Sequence, residues 1–316
     1  MKNEKHPEYQ YLNLLRDILD NGTDKPIFGV EGVNLRSVFG RQIRFDLSDG
    51  FPLLTTKKVF LRGVIEELLW FLRGDSNVKY LVDKDVHIWD EWAYKPYKKA
   101  MDGGKVPSLS QDDFISKIKE DNKFAKKWGE LGPVYGVQWR KWPAKDGRKI
   151  DQLAWAIEKL KTTPERKSIV VSAWNPEYLY EMALPGESMV IAPCHMMYQF
   201  NVNDNKLSMN MYIRSQDSFL GAPFNFASYA LLLMMVAQIT GFEVGEYVHT
   251  FGDVHIYSNH FDAVKEQLER EPRPFPRMKL NPKIKNIDDF KYEDFEISGY
   301  KPHPQIKAPI TLVGGF

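Results

Sequence analysis

A chain of 316 residues, 43% of them hydrophobic and 13% aromatic, is long enough to bury a large core. Its 43 lysines and arginines nearly balance 42 acidic residues, which excludes the strong overall charge that binds nucleic acid or an acidic membrane. One cysteine, Cys194, excludes an internal disulfide and a thiolate zinc cluster and is typical of a reducing compartment. The N-terminal stretch lacks the apolar core and cleavage site of a signal peptide. We therefore expect a cytoplasmic protein whose partner is a small molecule, with no membrane and no nucleic acid required.

The hydrophobic pattern predicts both helices and strands along the chain. Helices are expected at 9–19, 64–72, 151–161, 226–241 and 260–268, and strands at 38–47, 169–174 and 247–251. Two β-rich runs, 195–202 and 207–214, flank Asn203-Asp204-Asn205, which predicts a hairpin because Asn and Asp tolerate positive φ. Residues 94–130 are polar and lysine-rich and predict a surface insertion with a charged helix from Asp112 onward. With no linker and no internal repeat, the economical prediction is a single α+β domain over 1–316.

Cys194 stands in the sequence APCH, directly before the first run of the predicted hairpin. On residue type alone, a free cysteine is more often a small buried apolar residue than a nucleophile, by about two to one. His195 adjoins it, and Arg214 lies on the run that is expected to pair with it. A nearby guanidinium favours the thiolate, which is the reactive form of cysteine. These neighbours make Cys194 a candidate nucleophile.

The stretch RSQDSFLGAPFN, from Arg214 to Asn225, joins the end of a predicted strand to the head of an apolar helix. An asparagine there is more often a helix N-cap, at about three to one, but the amide of Asn225 also matches the O4 and N3–H of uracil. Arg214 and Ser215 suit a phosphate, because a bidentate cation stands beside a hydroxyl. Asp217 is as consistent with a surface salt bridge as with a functional carboxylate.

Further positions carry groups that suit a polar ligand. Glu66 and Glu67 lie in an otherwise apolar helix, so one is expected to face solvent and the other to be partly buried with a raised pKa. His255 and Tyr257 alternate on a predicted strand and so point to one face, either to hold a sugar or as satisfied core residues. The 7 histidines show no metal-binding spacing, and we predict no metal.

Short stretches distributed along nearly the whole chain form an ordered series. They are FPLLTTKK, ELLWFLRGDSN, HIWDEWA, GPVYGVQWR, SAWNP, PCH, YQF, RSQDSFLGAPFN, SYALL, EVGEYVHTFGDVHIYSNH, REPRP and GYKPHPQIKAP. Together they resemble the thymidylate synthase family. The resemblance implies an α+β domain with a twisted mixed sheet and flanking helices, one face of the sheet forming a homodimer interface. It also implies a methyltransferase of dTMP biosynthesis, in which dUMP accepts a methylene group from 5,10-methylenetetrahydrofolate and the folate leaves as dihydrofolate.

The resemblance implies roles for the residues that match. Cys194 would attack C6 of the uracil and make C5 nucleophilic. Glu67 and His195 would stabilise charge at O4 through water, and Tyr135 would help to remove the C5 proton. Arg214 would support the thiolate as well as the phosphate. The other nucleotide contacts would be Asn225, Ser215, His255, Tyr257, Lys167 and Arg166. The folate contacts would be Trp89, Asp217, Lys57, Ile88, Leu184, Gly221 and Phe224.

The chain departs from the family pattern around the phosphate and around the closing segment. Positions that hold arginine in the family read Val30, Lys167 and Ser168 here, and Arg36 and Arg166 are the candidates to compensate. Residues 186–192 predict an insertion before the cysteine, and 310–316 an atypical tail where the family ends in a carboxylate that seals the cavity. Water entering an unsealed cavity would give a hydroxymethyl group in place of methyl. The alternative prediction is therefore a deoxyuridylate 5-hydroxymethylase, and a non-catalytic nucleotide-binding homologue is the third.

Overall fold

The computed structural model describes residues 5–27, 30–185 and 187–311. Proximity between Cα atoms divides these residues into two compact units. The first holds the described residues of Met1–Val64, Leu153–Ser172 and Cys194–Val313, and the second holds those of Ile65–Gln152 and Ala173–Pro193. Gly186 of the predicted insertion and 312–316 of the predicted tail lie outside the described residues. The single domain over 1–316 stays a prediction.

The structure contains both helices and strands, and its main sheet is mixed, which confirms the predicted α+β class. The helices are α1 (Tyr9–Asn21), α2 (Leu61–Leu72), α3 (Lys79–Val82), α4 (Asp90–Asp102), α5 (Gln111–Glu120), α6 (Asn122–Trp128), α7 (Gly136–Lys141), α8 (Gln152–Thr162), α9 (Gly221–Thr240) and α10 (Phe261–Leu268). The strands are β1 (Thr23–Ile27), β2 (Val30–Asp46), β3 (Trp142–Pro143), β4 (Lys149–Ile150), β5 (Val170–Ser172), β6 (His195–Asn203), β7 (Lys206–Asp217), β8 (Glu243–Tyr257), β9 (Arg277–Leu280) and β10 (Phe295–Ser298). Each predicted helix and strand is present, and β2, β7 and β8 are longer than predicted.

A six-stranded mixed sheet, in the order β1-β2-β8-β7-β6-β5, lies at the centre of the first unit. Neighbouring strands are antiparallel except β7 and β8, which run parallel. Side chains alternate between its faces, so that Ile43 and Phe45 are buried while Gln42 and Arg44 are exposed. The parallel pair brings the C-terminal ends of β7 and β8 to the same edge of the sheet.

The buried face of the sheet packs against α1 and α9. Phe226 of α9 lies between the two layers, its ring 5.8 Å from that of Tyr11 and 5.3 Å from that of Phe45. Among the described residues, α9 is the one helix long and apolar enough to cross a membrane, yet 83% of its apolar window is buried, as in a core helix. It ends at Gly241, whose φ of 84° suits a residue without a Cβ.

The turn between β6 and β7 confirms the predicted hairpin. Asn203 pairs with Lys206, and the two residues between them, Asp204 and Asn205, have φ values of 49° and 61°. Both are in the left-handed region that a two-residue turn with the right-handed twist of a sheet requires. The polar turn thereby sets which residues of β6 and β7 face each other.

Helices α3 to α7 and most of α2 belong to the second unit, together with the short ribbon of β3 and β4. The segment predicted as a polar surface insertion forms a small core of its own. The ring of Tyr97 lies 5.1 Å from that of Phe114, 5.6 Å from that of Phe124 and 5.0 Å from that of Trp128. The lysines of α5 and α6 are exposed around this aromatic cluster.

We expect Asn205→Val to lower the free energy of unfolding by about 1–2 kcal/mol, because a β-branched residue disfavours positive φ. Asn205→Gly should be neutral or slightly stabilising. The matched control is Asn203→Val, which places the same side chain at an extended position of the same hairpin, where it is tolerated. Denaturant unfolding of the three variants checks this, and equal losses for both valine variants would contradict it.

Candidate active site

The hairpin of β6 and β7 places Cys194 opposite Arg214. The backbone N–H of Arg214 donates to the carbonyl of Cys194 at 2.9 Å, and the next residue, His195, pairs with Ile213. This is the pairing that the sequence predicts. Cys194 is half-buried, as is Arg214, so the cysteine lies beside a guanidinium-bearing strand and is not fully enclosed in the core. The arrangement suits a nucleophilic cysteine better than an inert core residue.

The C-terminal ends of β7 and β8 carry two carboxylates and a phenol near the cysteine. Asp217 at the end of β7 pairs with His255 of β8. Burial raises the pKa of Tyr257, and the charges of Asp217, Cys194 and Asp253 act in the same direction. The Tyr257 phenol therefore lies within electrostatic reach of both Cys194 and Asp217, and it stays protonated as a hydrogen-bond donor.

His255 is held by a carboxylate on one side and leaves its other nitrogen available. Its Nδ1 lies 3.0 Å from Oδ1 of Asp253, and Lys25 donates to Oδ2 of the same carboxylate at 2.9 Å. Burial alone would raise the pKa of Asp253, but these two hydrogen bonds lower it to about 2. The Nε2 atom of His255 is buried and has no hydrogen-bond partner among the described residues. This nitrogen can form a hydrogen bond with a ligand hydroxyl.

Asn225 is the fifth residue of α9 and is buried, so the alternative that it caps the helix is wrong. Its Nδ2 donates to Oε1 of Gln216 at 3.1 Å. Asn225 also hydrogen-bonds His195, whose Nδ1 lies 3.0 Å from the Tyr229 hydroxyl. Burial lowers the pKa of His195 to about 3, and the bond with Asn225 only partly opposes this shift. His195 is therefore neutral near pH 7.

Lys57 is buried in the first unit, and its ammonium donates to the carbonyl of Phe219 and lies 3.4 Å from the centre of the Phe219 ring. Burial lowers the pKa of Lys57 to about 7, against the opposing charge of Asp217. Oδ1 of Asp217 accepts the backbone N–H groups of Phe219 and Leu220 at 2.9 and 3.1 Å. The backbone of the turn after β7 is thus held by Lys57 at a carbonyl and by Asp217 at two N–H groups.

The second unit holds its own group of candidate residues. Trp89 donates from Nε1 to Oε1 of Glu67 at 2.7 Å, and burial raises the pKa of Glu67 to about 7. The ring of Tyr135 lies 5.9 Å from that of Trp89. Both glutamates of α2 are buried, which corrects the expectation that one faces solvent, because Glu66 accepts a hydrogen bond from Tyr80 at 2.8 Å. A carboxyl group with a pKa near 7 can both release and accept a proton at neutral pH.

Comparison with known proteins shows the family of the chain. The thymidylate synthase family model matches residues 9–312. A thymidylate synthase from Mycoplasma mobile is 54% identical over 303 residues, which is 96% of this chain and 99% of that protein. The chain belongs to the thymidylate synthase family. The six-stranded mixed sheet with its flanking helices is consistent with the fold of that family.

The remaining residues with an expected role are less buried. Ser215, paired with Asp253 across β7 and β8, and Ile88, Gly221 and Phe224 are half-buried, whereas Leu184 is exposed. Arg166 and Lys167 are exposed in the segment before β5. Arg36, a candidate to compensate for the altered arginines, instead pairs with Asp24 at 2.7 Å and donates to the carbonyl of Leu19 at 2.9 Å.

Among the described residues, no group of three His, Cys, Asp or Glu side chains could hold a metal ion.

Sequence reasoning missed Gln216 and Tyr229, the two partners of the Asn225 and His195 pair. The alternation of β7 places Met209, Met211 and Ile213 inside, which would send residue 216 outward. The strand departs from this alternation at its end, and Gln216 is buried instead. No signal in the sequence marks that change, so Gln216 carried no expected role.

Glu67 predicts a pH dependence of stability. Its folded pKa of about 7 is above the ordinary 4.5, so the folded state binds a proton that the unfolded chain releases between these values. The free energy of unfolding therefore falls as pH rises through this window, by roughly 3 kcal/mol for a shift of this size. Glu67→Gln keeps the acceptor for Trp89 and should be more stable than the parent above pH 7, but not at mildly acidic pH.

Denaturant unfolding at the two pH values measures this difference. The same substitution at Glu120, an exposed residue of α5, controls for the loss of a surface charge. If Glu67→Gln shows the same difference from the parent protein at both pH values, the carboxyl group of Glu67 is not protonated in the folded state near neutral pH.

Proposed function

We propose that this chain is a methyltransferase that transfers the one-carbon unit of 5,10-methylenetetrahydrofolate to C5 of dUMP, giving dTMP and dihydrofolate. The observation that carries the proposal is the backbone pairing of Cys194 with Arg214, within a chain 54% identical to a protein named thymidylate synthase. That name favours methyl transfer over the hydroxymethylase alternative. The roles of individual residues follow the family resemblance, and the placement of each residue within its own unit supports them.

Cys194 supplies the nucleophile. The thiolate sulfur bonds to C6 of uracil, and the electrons of the C5–C6 double bond move towards C5 and O4. The resulting enolate carbon attacks the methylene group of the folate, and the C5 proton then leaves to a base. After the folate nitrogen departs, a hydride from the folate reduces the exocyclic methylene to methyl, and the sulfur leaves C6. The folate loses a methylene group and a hydride and so leaves as dihydrofolate.

Polar groups of the first unit bind and orient the nucleotide. Arg214 and Ser215 take the phosphate, with Lys167 and Arg166 as further cations for it. Asn225 binds the O4 and N3–H edge of uracil, and neutral His195 takes part in the hydrogen bonds around O4. His255, through the Nε2 atom that lacks a partner among the described residues, and the protonated phenol of Tyr257 hold the ribose hydroxyl.

Groups that handle protons and folate complete the assignment. Glu67, with a pKa of about 7, stabilises charge at O4 through water, and Tyr135 assists removal of the C5 proton. Trp89 and Asp217 contact the pterin of the folate, which is treated as a co-substrate. Further folate contacts are Lys57, Ile88, Leu184, Gly221 and Phe224. For Lys57, a contact with the glutamate tail requires its ammonium to leave the carbonyl of Phe219, to which it is bonded in this structure.

The exposed face of the sheet is assigned to a homodimer, as in the family resemblance, and the enzyme is assigned to the cytoplasm. A polar ladder crosses this face. Gln42 donates to the Thr250 hydroxyl at 3.0 Å, and that hydroxyl donates to Oδ1 of Asn210 at 2.9 Å. Side chains already fixed by one another lose little further freedom when a second copy packs on them.

Product analysis tests the proposed reaction directly. The chain is incubated with dUMP and 5,10-methylenetetrahydrofolate, and dihydrofolate absorbance is followed together with product mass. We expect dTMP and dihydrofolate in equal amounts. Hydroxymethyl-dUMP with tetrahydrofolate would establish the alternative activity. A chain that releases no tritium from C5-labelled dUMP would be a non-catalytic homologue.

Cys194→Ser should reduce turnover by at least ~10⁴-fold, because a hydroxyl is far less ionised than a thiol and forms the bond to C6 poorly. dUMP binding, measured by calorimetry, should weaken much less, since phosphate and base contacts remain. Residual turnover within tenfold of the parent protein would exclude the covalent route through this residue.

The dimer assignment predicts sedimentation at twice the chain mass of 36.8 kDa. Thr250→Arg places a bulky charge in the middle of the sheet face, where it would disturb the packing of a second copy, and should shift the protein to monomer. Analytical ultracentrifugation decides the point. A parent protein that is monomeric at micromolar concentration, or a variant that remains fully dimeric, would contradict the assignment.

A further inference from the structure

Two buried amide side chains meet beside the proposed base site. Nδ2 of Asn225 donates to Oε1 of Gln216 at 3.1 Å, and Nε2 of Gln216 donates to the backbone carbonyl of Asp217 at 3.1 Å. The exposed fraction is 2% for Gln216 and 7% for Asn225, so neither amide can exchange its partner freely for water. The pair links the backbone of β7 to α9.

The direction of each hydrogen bond follows from the backbone carbonyl at one end. A carbonyl oxygen can only accept, so the atom of Gln216 that faces Asp217 must be Nε2. Its Oε1 then faces Asn225, and because that oxygen also only accepts, the facing atom of Asn225 must be Nδ2. The oxygen of Asn225 is left on the opposite side of the amide.

The contacts of His195 agree with this direction. Its hydrogen bond with Asn225 raises the pKa of His195, as expected when the imidazole donates to Oδ1. A neutral ring that donates from one nitrogen accepts at the other, which suits Nδ1 facing the Tyr229 hydroxyl at 3.0 Å. The backbone carbonyl of Asp217 therefore specifies the orientation of Asn225, and His195 accommodates it.

We infer that Gln216 is a positioning residue that fixes the amide orientation of Asn225 and thereby sets the preference for uracil over cytosine. The inference deepens the proposed function and rests on it. Uracil offers an acceptor at O4 and a donor at N3, and the fixed amide meets them with its second N–H and its oxygen. Cytosine offers the reverse pattern at the same two positions, so it would need the amide flipped.

A flipped amide is unfavourable for a specific reason. It would turn Oδ1 of Asn225 against Oε1 of Gln216, so two acceptors would face each other in a buried site. Gln216 also packs closely on its other side, because a Cβ added at Gly221 would stand 2.9 Å from its Nε2. The glycine leaves just enough room for the amide and hinders its displacement.

The test removes the amide of Gln216 while keeping its shape. In Gln216→Met, the inhibition constant of dCMP divided by the Michaelis constant of dUMP should fall about 10- to 100-fold relative to the parent protein. The chain contains a matched control. Gln138 is also fully buried, donates to the carbonyl of Pro133 at 2.8 Å and accepts from Nδ2 of Asn175 at 3.3 Å. Gln138→Met loses the same kinds of bond and should leave the ratio unchanged.

A conservative variant supplies a second readout. In Gln216→Glu, the protonated acid can donate to the carbonyl of Asp217 and accept from Asn225, so the ratio should be retained at mildly acidic pH. It should fall at mildly alkaline pH as the carboxyl group ionises and repels that carbonyl. This pH comparison decides the question if Gln216→Met does not fold.

Each outcome has a definite meaning. An unchanged ratio in Gln216→Met, or a ratio in Gln216→Glu that does not depend on pH, overturns the role of Gln216. An equal fall in Gln216→Met and Gln138→Met also overturns it, because loss of any buried amide pair would then explain the effect. If the parent protein neither binds nor converts dUMP, the proposed function fails instead.

Discussion

The register of β7 against its two neighbours is the constraint on which the first unit depends. On one side, its antiparallel pairing puts the N–H of Arg214 on the carbonyl of Cys194 at 2.9 Å. On the other side, its parallel pairing sets Asp217 beside His255. A slip of one residue would turn each side chain of β7 to the opposite face. The register of β7 depends on the polar turn at Asp204 and Asn205 and on the buried Met209 and Met211. These residues therefore help to position Arg214 and Asp217, which lie further along the strand.

The charge states of the buried titratable side chains depend on burial and on their hydrogen-bond partners. His195 becomes neutral because its ring loses hydration, whereas Asp253 stays ionised because His255 and Lys25 compensate for its burial. In the second unit, Glu67 receives one hydrogen bond, from Trp89, which only partly offsets its burial, and its pKa rises to about 7. The hydrogen-bond partners, more than the residue type, thus decide that Asp253 stays ionised while Glu67 can carry a proton.

Much of this arrangement could be predicted from the sequence, where local rules act. Hydrophobic period and the Asn-Asp-Asn turn predicted the hairpin, and the hairpin predicted that Arg214 lies across from Cys194. Tertiary packing decided the rest. The burial of Tyr97 and Phe114 was not predicted, because these aromatic residues stand among many lysines and the segment therefore has the composition of an exposed surface. The burial of Gln216 follows from a break in the strand alternation of β7. The burial of Lys57 against Phe219 follows from a contact between residues that are distant in sequence.

Covalent attack by Cys194 can be detected by trapping the intermediate. The chain is mixed with dUMP and 5,10-methylenetetrahydrofolate, quenched in denaturant during the first turnover, digested, and analysed by mass spectrometry. We expect the peptide containing Cys194 to carry the added mass of the nucleotide, and the same peptide to be unmodified once turnover is complete. Product formation at the normal rate with no adduct on Cys194, or with the adduct on another residue, would contradict it.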